Sequence, residues 1–479
     1  MPPRSARSST TLLDTPAMPI VPETTPDRST APSTGKRPTL DTFTRLVETK
    51  TVIRLTPGTQ TLVPAGGPAD PVAPTLFGEV KNETADPELR AWSRTTKNSY
   101  WRGRTPEGEP TTCVTLSSIA KEANAAEEAL LNAKALGASI PDLVIDFSSD
   151  PRTAHLGRIG TLQAPHRAYD ALFRDSLLGN ALFSSTELAR RLTEAKEGFA
   201  TALLMLPHML VFGAWHSQGS QGGGGTKIGR IYKAEIIGYG AVPADIAASR
   251  IDPAAIGSSV PIYKPLGDAG PSDLLSKGGQ RQNPGWETDK AFAERGKDNT
   301  PLPYVSKKRE AGTKPGTAAL VNHGNIKPSA RSGRATISGA VQIMDLSLTA
   351  LRSLSFPDKP GGVPDRARDR LAWTAIAALA LVAMTQRLED GHHLRSGCDL
   401  IAVRTPRLEV VGASLEDCAP LEIDVKGARA LLAEAVAALR ADGMCWGPPE
   451  GTGMLKPSPQ LAEAIQASKG MAEETEGDT

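Results

Sequence analysis

The sequence predicts an α+β fold in which an antiparallel sheet carries helices on one face. Strand and helix patterns interleave along the 479 residues, but without the regular spacing of a doubly wound parallel sheet. Two strand patterns also flank a glycine cluster, which is typical of two neighbouring strands joined by a loop. These observations favour α+β over α/β.

The first elements follow a polar N-terminal segment. Residues 1–40 are rich in Ser, Thr and Pro and have no apolar core of a signal peptide, so they are expected to form a disordered tail. The Ala- and Glu-rich segment 117–135 predicts a helix, and the pattern PDLVIDFSS predicts a strand after it. Ser184 and Glu187 match a capping box, which predicts a helix that continues to Leu206.

The remaining elements are predicted from hydrophobic periodicity. They are strands over 206–217 and 228–242, helices over 337–354 and 364–389, a strand pattern in CDLIAVRTPRLEVVG, and a helix over 427–441. Trp373 and the Ala-rich run around it are predicted to be core.

Composition limits the partners and the compartment. The formal net charge is only +1, so any affinity for nucleic acid must come from a local concentration of basic residues. The longest apolar run, 371–384, is too short to span a bilayer, and no membrane is expected. The four cysteines form no CxxC pair, which argues against zinc ribbons and disulfide scaffolds and fits a reducing cytoplasm. No cofactor is predicted.

The glycine cluster is the strongest local signal of function. Glycines without a Cβ let the backbone approach a ligand closely, and two cations follow the cluster, which favours a phosphate ligand. The candidate residues are Gly219, Gly222, Gly223, Gly224, Gly225, Lys227 and Arg230. A plain flexible hairpin loop is the alternative. A nucleotide-hydrolysing P-loop is disfavoured, because Gly225 stands where the motif needs Lys and Ile228 where it needs Ser or Thr.

A basic block, 257–334, follows and has little apolar periodicity. Trp286 and Tyr304 are interleaved with its cations, a composition typical of segments that stack bases beside a phosphate backbone. A solvated linker is the alternative. A segment this poor in apolar residues is not expected to form a core of its own, and we expect it to order only on assembly.

Several motifs in order carry a family resemblance. The segments LVFGAWHSQGSQGGGGTKIGRIYKAEIIGYGAV, ASRIDP, GNIKPSARSGRATISGAVQIMDLSLTALRSLSFP and LEDGHHLRSGCDL resemble the backbone subunit of type I-G (formerly I-U) CRISPR interference complexes, in the RAMP superfamily. The resemblance covers roughly 117–400. The chain departs from the family pattern at His216, where an Asp is usual, and at Ala125, where an Arg is usual.

The resemblance implies a modified RRM-like (ferredoxin-like) palm with a thumb-like insertion. The implied divisions are the tail 1–40, the palm 41–256, the basic insertion 257–334, the second part of the palm 335–455, and an acidic C-terminal tail 456–479. It further implies a non-enzymatic role in antiviral defence: copies of the chain line up on one guide RNA with other subunits of the complex and present the guide to target DNA. Besides the glycine loop, the residues implied to grip guide phosphates are Arg250, Lys327, Arg331 and Arg334.

Other chemistry is less well supported. A guide-processing endoribonuclease of the same superfamily would need an activated base, and His216 is the obvious candidate. His392 and His393 could be metal ligands or a catalytic pair, but a turn at a helix end is the preferred interpretation. Arg174 and Asp175 could contact RNA or pair within the fold, and the sequence does not decide between these.

Overall fold

A computed structural model describes residues 37–477, apart from 68, 77–85, 217–226, 267–285, 306–315, 322 and 325. Most of the predicted N-terminal tail therefore lies outside the described residues. The centre of the structure is a ten-stranded sheet in which neighbouring strands are antiparallel. The α+β class predicted from the sequence is confirmed.

The helices are α1 (Leu40–Thr49), α2 (Pro87–Thr96), α3 (Ile119–Ala135), α4 (Ala171–Arg174), α5 (Glu187–Glu194), α6 (His208–Phe212), α7 (Leu348–Leu351), α8 (Arg366–Glu389), α9 (Val425–Ala441) and α10 (Pro459–Gly477). The strands are β1 (Val52–Leu55), β2 (Thr61–Pro64), β3 (Tyr100–Arg104), β4 (Pro110–Ser117), β5 (Val144–Asp146), β6 (Arg158–Gly160), β7 (Ser176–Leu178), β8 (Ala181–Leu182), β9 (Ala214–Trp215), β10 (Lys227–Ile228), β11 (Tyr232–Tyr239), β12 (Val242–Arg250), β13 (Ile326–Thr336), β14 (Gly339–Ser347), β15 (His392–Arg395), β16 (Cys398–Ala402), β17 (Leu408–Val411), β18 (Cys418–Leu421) and β19 (Met454–Pro457).

Four strands of the large sheet have the order of an RRM-like (ferredoxin-like) palm. They lie side by side as β17, β1, β14 and β11, so that the first strand of the palm pairs with its third and its last. α3 precedes β11, and α8 connects β14 to β17. The palm therefore has the βαββαβ arrangement, with β2, α2, β3 and β4 inserted before its first helix.

The two faces of the palm sheet differ. On β11 and β14, Tyr232, Ala234, Met344 and Leu346 alternate inward and pack under the helices. The opposite face is half-exposed and carries the charged side chains of β1, β11 and β14. There Asp345 lies directly between Arg54 and Lys233 on its two neighbouring strands, and burial raises the pKa of Asp345.

Helix α8 is the central helix of the core. Asp365 caps it by accepting from the backbone N–H groups of Ala367 and Arg368, and every residue from 372 to 387 is buried. Trp373, predicted to be core, is 1% exposed. Among the described helices, only α8 is long and apolar enough to cross a bilayer, and 89% of its apolar stretch is buried inside the protein. That burial is the pattern of a core helix.

Helices α3, α8 and α9 confirm the predictions for 117–135, 364–389 and 427–441. The prediction for 398–412 is also confirmed, because β16 and β17 occupy it. Ser118 caps α3. Inside the core, Arg387 of α8 lies 3.3 Å from Glu122 of α3, both almost fully buried, which ties the two palm helices together.

Two predicted elements have the wrong type. The strand predicted over 206–217 is mostly helix α6, followed by the two-residue strand β9. The helix predicted over 337–354 is strand β14 followed by the single turn α7. The strand predicted over 228–242 is confirmed as β10 and β11.

The long helix predicted over 184–206 is also wrong in extent. Thr186, not Ser184, caps α5, which ends at Glu194. The next residues form a tight turn in which Lys196 and Phe199 pair, and a 3-10 segment, Thr201–Met205, follows. Gly198 within this turn favours the break.

A two-stranded ribbon leads into the predicted insertion, and its first strand, β12, lies before residue 257. β12 and β13 continue the hairpin of β11 and β14 beyond the large sheet, so the ribbon leaves the palm where these two strands end. Beyond it, residues 251–325 contain a small core of Ile262, Tyr304 and Ala318, against which Trp286 packs. The expectation that this segment has no core is therefore wrong for the described residues. Tyr304 is 4% exposed, so it is not available to stack on a base.

The histidine pair lies in a strand. The chain turns at Gly391 and enters β15 at His392, so the turn predicted at the helix end precedes the pair. His392 is buried with its Nε2 2.9 Å from Oε1 of Gln342, whereas His393 is exposed and pairs with Asp399. The two rings point apart, and no group of three or more His, Cys, Asp or Glu that could hold a metal occurs among the described residues.

A smaller sheet lies beside the palm, and its central strand is β19. This strand pairs in parallel with β5 and antiparallel with β7. The segment predicted as an acidic tail therefore begins with a paired strand and continues as helix α10.

Candidate nucleic-acid interface

The glycine cluster is carried by a short hairpin. β9 and β10 pair antiparallel, with Trp215 opposite Lys227 and Ala214 opposite Ile228. The cluster itself, Gly219 and Gly222 to Gly225, falls in 217–226 and lies outside the described residues. The described strands place both ends of the glycine segment side by side.

The hairpin has an inner and an outer face. Ala214 and Ile228 are 7% and 3% exposed and join the main core. Residues directly opposite each other on antiparallel strands point to the same side. Trp215, which is 56% exposed, and the exposed Lys227 therefore share the outer face.

Gly213 fixes where the hairpin leaves the core. Its φ is +81°, and a Cβ at this position would lie 3.0 Å from the carbonyl oxygen of Ile228 and 3.1 Å from the backbone nitrogen of Arg230. Only glycine combines this backbone conformation with so close an approach. The chain before β9 is thereby held directly against the chain after β10.

Arg167 also stabilises this junction, through a hydrogen bond and an ion pair. Its guanidinium donates from Nη1 to the carbonyl oxygen of Gly213 at 2.9 Å and forms a two-pronged ion pair with Glu127 on α3, at 2.7 and 3.0 Å. Burial raises the pKa of Glu127 to about 7, and the neighbouring guanidinium opposes this shift. The pair fixes the hairpin to a helix of the palm.

Arg230 lies between two clefts. One, about 300 Å³, is lined by both strands of the hairpin together with His166 and Arg167. The other, about 770 Å³, opens along the half-exposed face of the sheet and the start of α3, and Lys233 and Asp345 line it. Because Arg230 lines both, the two clefts adjoin at its side chain.

The charge at this junction is not neutralised by the fold. Lys227 and Arg230 are exposed, and neither is paired with an acid in the part of the chain that the structure describes. Nearby cations differ: Arg174 pairs with Asp175 at 2.7 Å, and Lys233 lies 3.1 Å from Glu235. The internal pairing predicted as one option for Arg174 is thus observed. Two unpaired cations beside a cleft attract an anionic ligand.

The other predicted contacts lie elsewhere. Arg250, Lys327 and Arg331 belong to the ribbon of β12 and β13. Strand β11, eight residues or about 26 Å long, separates the hairpin junction at its start from the ribbon at its end. The structure therefore divides the predicted residues into two separate basic groups.

Arg334 differs from the rest of its group. It lies at the base of the ribbon, opposite Ala244, and is half-buried. Its guanidinium donates to the carbonyl oxygen of Gly397, between β15 and β16. These contacts favour a structural role for Arg334, which joins the ribbon to the edge of the sheet.

His216 is the residue on which an endoribonuclease would depend. Its ring lies 5.1 Å from the ring of Tyr169, and burial together with Arg174 lowers its pKa. This shift disfavours the protonated form of the imidazole. No hydrogen bond to an orienting carboxylate is found for it among the described residues.

Sequence reasoning found the two cations but missed Trp215, Arg167 and Glu127. The cations could be predicted because they directly follow the glycine cluster. Arg167 and Glu127 are 40 residues apart in the chain and meet only in the fold. Trp215 ends an apolar run, and its exposure depends on which face of the hairpin is inward.

A comparison with protein families gives one match. The model of the family described as CRISPR-associated protein GSU0053 matches residues 58–243. This match indicates a CRISPR-associated protein. It covers less than half of the chain, from the loop before β2 to the start of the ribbon, and so includes α3, the hairpin and Arg230. No curated protein matches the chain.

Proposed function

We propose that this CRISPR-associated protein is the guide-RNA-binding backbone subunit of a type I-G CRISPR surveillance complex. Copies of the chain line up along one guide and present it for pairing with target DNA, while other subunits of the complex cut the target. The proposal joins three findings: the motif resemblance, the family match over 58–243, and the RRM-like palm with its ribbon insertion.

The observation that carries the proposal is the hairpin junction. Lys227 on the hairpin and Arg230 just after it are exposed and unpaired among the described residues, and the inner face of the hairpin is part of the core. Such cations grip phosphates without reading bases, as a subunit that must accept any spacer requires. The ribbon cations Arg250, Lys327 and Arg331 form a second group of phosphate contacts farther along the guide.

The ribbon also suggests how copies associate. A row of identical subunits on a long strand needs two different surfaces that meet without closing into a ring. The insertion projects from the palm between β11 and β14, so it can reach a neighbouring copy without disturbing the palm core. We propose that it supplies one of these two surfaces.

The test is RNA binding by Lys227→Ala and Arg230→Ala. Each variant should bind unrelated spacer RNAs more weakly and to the same degree. The slope of log affinity against log salt should fall by about 0.7 for each lost phosphate contact. Lys426→Ala is the matched control, because Lys426 is an exposed lysine in the first turn of α9, on the helical side of the palm.

Two results would contradict the proposal. One is an unchanged affinity and salt slope in the double variant. The other is a change of base preference at constant salt slope, which would mean that these residues read bases and do not grip phosphates.

A further inference from the structure

Trp215 is a large aromatic side chain that the fold leaves in solvent. It is 56% exposed, although Ala214 and Ile228, on the inner face of the same hairpin, are buried. Its indole makes no hydrogen bond with any described residue. An aromatic ring so exposed at a candidate binding site forgoes the large stabilisation that burial would give it.

We propose that Trp215 is a stacking platform for one nucleobase of the guide RNA. The inference rests on the proposed function and adds a base-binding subsite to it. Proteins that bind single strands without sequence preference combine cations for the phosphates with aromatic rings for the bases. Trp215 and Lys227 provide this combination on one face of one hairpin.

The spacing of the two side chains suits one nucleotide. Directly opposed residues on antiparallel strands have Cβ atoms about 5 Å apart. Lys227 can therefore hold a phosphate while the base attached to the same backbone lies on the indole. Because every base has an aromatic face, this contact accepts any spacer sequence.

The backbone that carries Trp215 is anchored to the core. Ala214 and Ile228 anchor the hairpin from its inner face, and Arg167 binds the carbonyl oxygen of Gly213 just before it. Phe212, the residue directly before Gly213, packs edge-on against Tyr232 of β11 at 5.5 Å. An anchored backbone leaves only the side-chain torsions of Trp215 to be ordered on binding, which favours affinity.

The test compares normal RNA with RNA that lacks bases. The full-length chain, freed of bound nucleic acid, is titrated with an oligouridine and with an abasic ribose-phosphate oligomer of equal length. Wild type should prefer the oligouridine. Trp215→Leu should reduce that preference by about 5- to 150-fold, the range for one lost base stack, and leave the salt slope unchanged.

Conservative and control variants separate stacking from folding. Trp215→Phe keeps an aromatic ring and should retain most of the preference. Leu415→Ala removes another exposed apolar side chain, between β17 and β18, and should change nothing. Thermal unfolding of all variants checks that the fold is intact.

Each outcome has one meaning. If Trp215→Leu keeps the wild-type preference, the stacking role is wrong, even where Lys227→Ala still lowers the salt slope. A variant that binds RNA normally but forms fewer multimers would place Trp215 in a protein contact and also overturn the inference. If wild type binds neither oligomer, the proposed function fails, and the stacking role fails with it.

Discussion

At the scale of single residues, Gly213 sets the position of the hairpin against the core. Gly213→Ala should lower the free energy of unfolding by about 1–3 kcal/mol, because alanine must adopt a left-handed φ and its Cβ meets two backbone atoms at about 3 Å. It should also weaken RNA binding by moving Lys227 and Arg230. Urea unfolding and RNA titration measure the two effects.

Gly108→Ala is the matched control for that substitution. Gly108 also has a positive φ, of +94°, but a Cβ there would meet no atom within 4 Å. The Gly108→Ala variant should lose stability through backbone strain alone and should bind RNA normally. Equal effects of the two substitutions on RNA binding would contradict the junction role of Gly213.

His208 should make stability depend on pH. It is fully buried on α6, and burial, with Arg167 and Lys134 nearby, lowers its pKa to about 3. Because the unfolded residue has a pKa near 6.5, the unfolded chain binds more protons between these values. Stability should therefore be lost as pH falls below about 6.5, by about 1.4 kcal/mol per pH unit for this residue.

His208→Phe isolates this contribution, because it replaces the titrating imidazole with an apolar ring of similar size. Urea unfolding at pH 7, 6 and 5 should show a shallower loss of stability on acidification than in wild type. His392, whose pKa burial lowers to about 4, acts in the same direction and remains in the variant. Glu127 acts in the opposite direction, because its raised pKa favours the folded state as pH falls. An unchanged slope in the variant would contradict the account of His208.

His216 should not be catalytic. Wild type incubated with labelled repeat RNA or target duplex should give no specific cleavage products, because no orienting acid is bonded to His216 among the described residues. Specific cleavage that disappears in His216→Ala would favour the endoribonuclease alternative over the backbone subunit.

At the scale of elements, β14 explains one failure of sequence reasoning. Its inward positions include the polar Gln342, whereas its outward positions include Val341 and Ile343. The expected alternation of apolar inward and polar outward residues is therefore blurred, and Ala, Met and Leu raise helix propensity. Only the pairing with β1 and β11, distant in sequence, makes this segment a strand.

Helix α6 was misassigned for a different reason. Every residue of this element is buried, so its sequence shows neither the helical nor the strand period. By contrast, α3 and α9 have clear caps and one buried stripe, and their sequences predicted them within two residues. Local signals sufficed for long helices, including the largely buried and Ala-rich α8, and failed for the five buried residues of α6.

The insertion gives a prediction at this scale. Replacing 252–324 by a short Gly-Ser linker should leave the free energy of unfolding of the palm nearly unchanged, because the small core around Ile262 and Tyr304 is separate from the larger hydrophobic clusters of the described residues. It should abolish multimers on long RNA, as measured by native mass spectrometry. Normal multimers would contradict the bridging role, and an unstable palm would show that the insertion is part of its core.

At the scale of the whole molecule, the order of strands was accessible only through the motif resemblance. The pairs that define the palm join residues hundreds of positions apart, such as Val52 with Val411, and no periodicity encodes such pairing. The arrangement of the candidate nucleic-acid interface also depends on the fold. Its cations were predicted locally, but the separation of the ribbon group from the hairpin group by the length of β11 follows from the fold.

The proposed function requires the chain to hold guide RNA through contacts that do not depend on the base sequence. The most direct test is to purify the protein from cells that carry a CRISPR array and to sequence the RNA bound to it. The account predicts enrichment of array transcripts, with different spacers equally represented, and loss of this RNA in the Lys227→Ala, Arg230→Ala double variant. Bound RNA that merely samples the cellular pool, or no bound RNA, would contradict it.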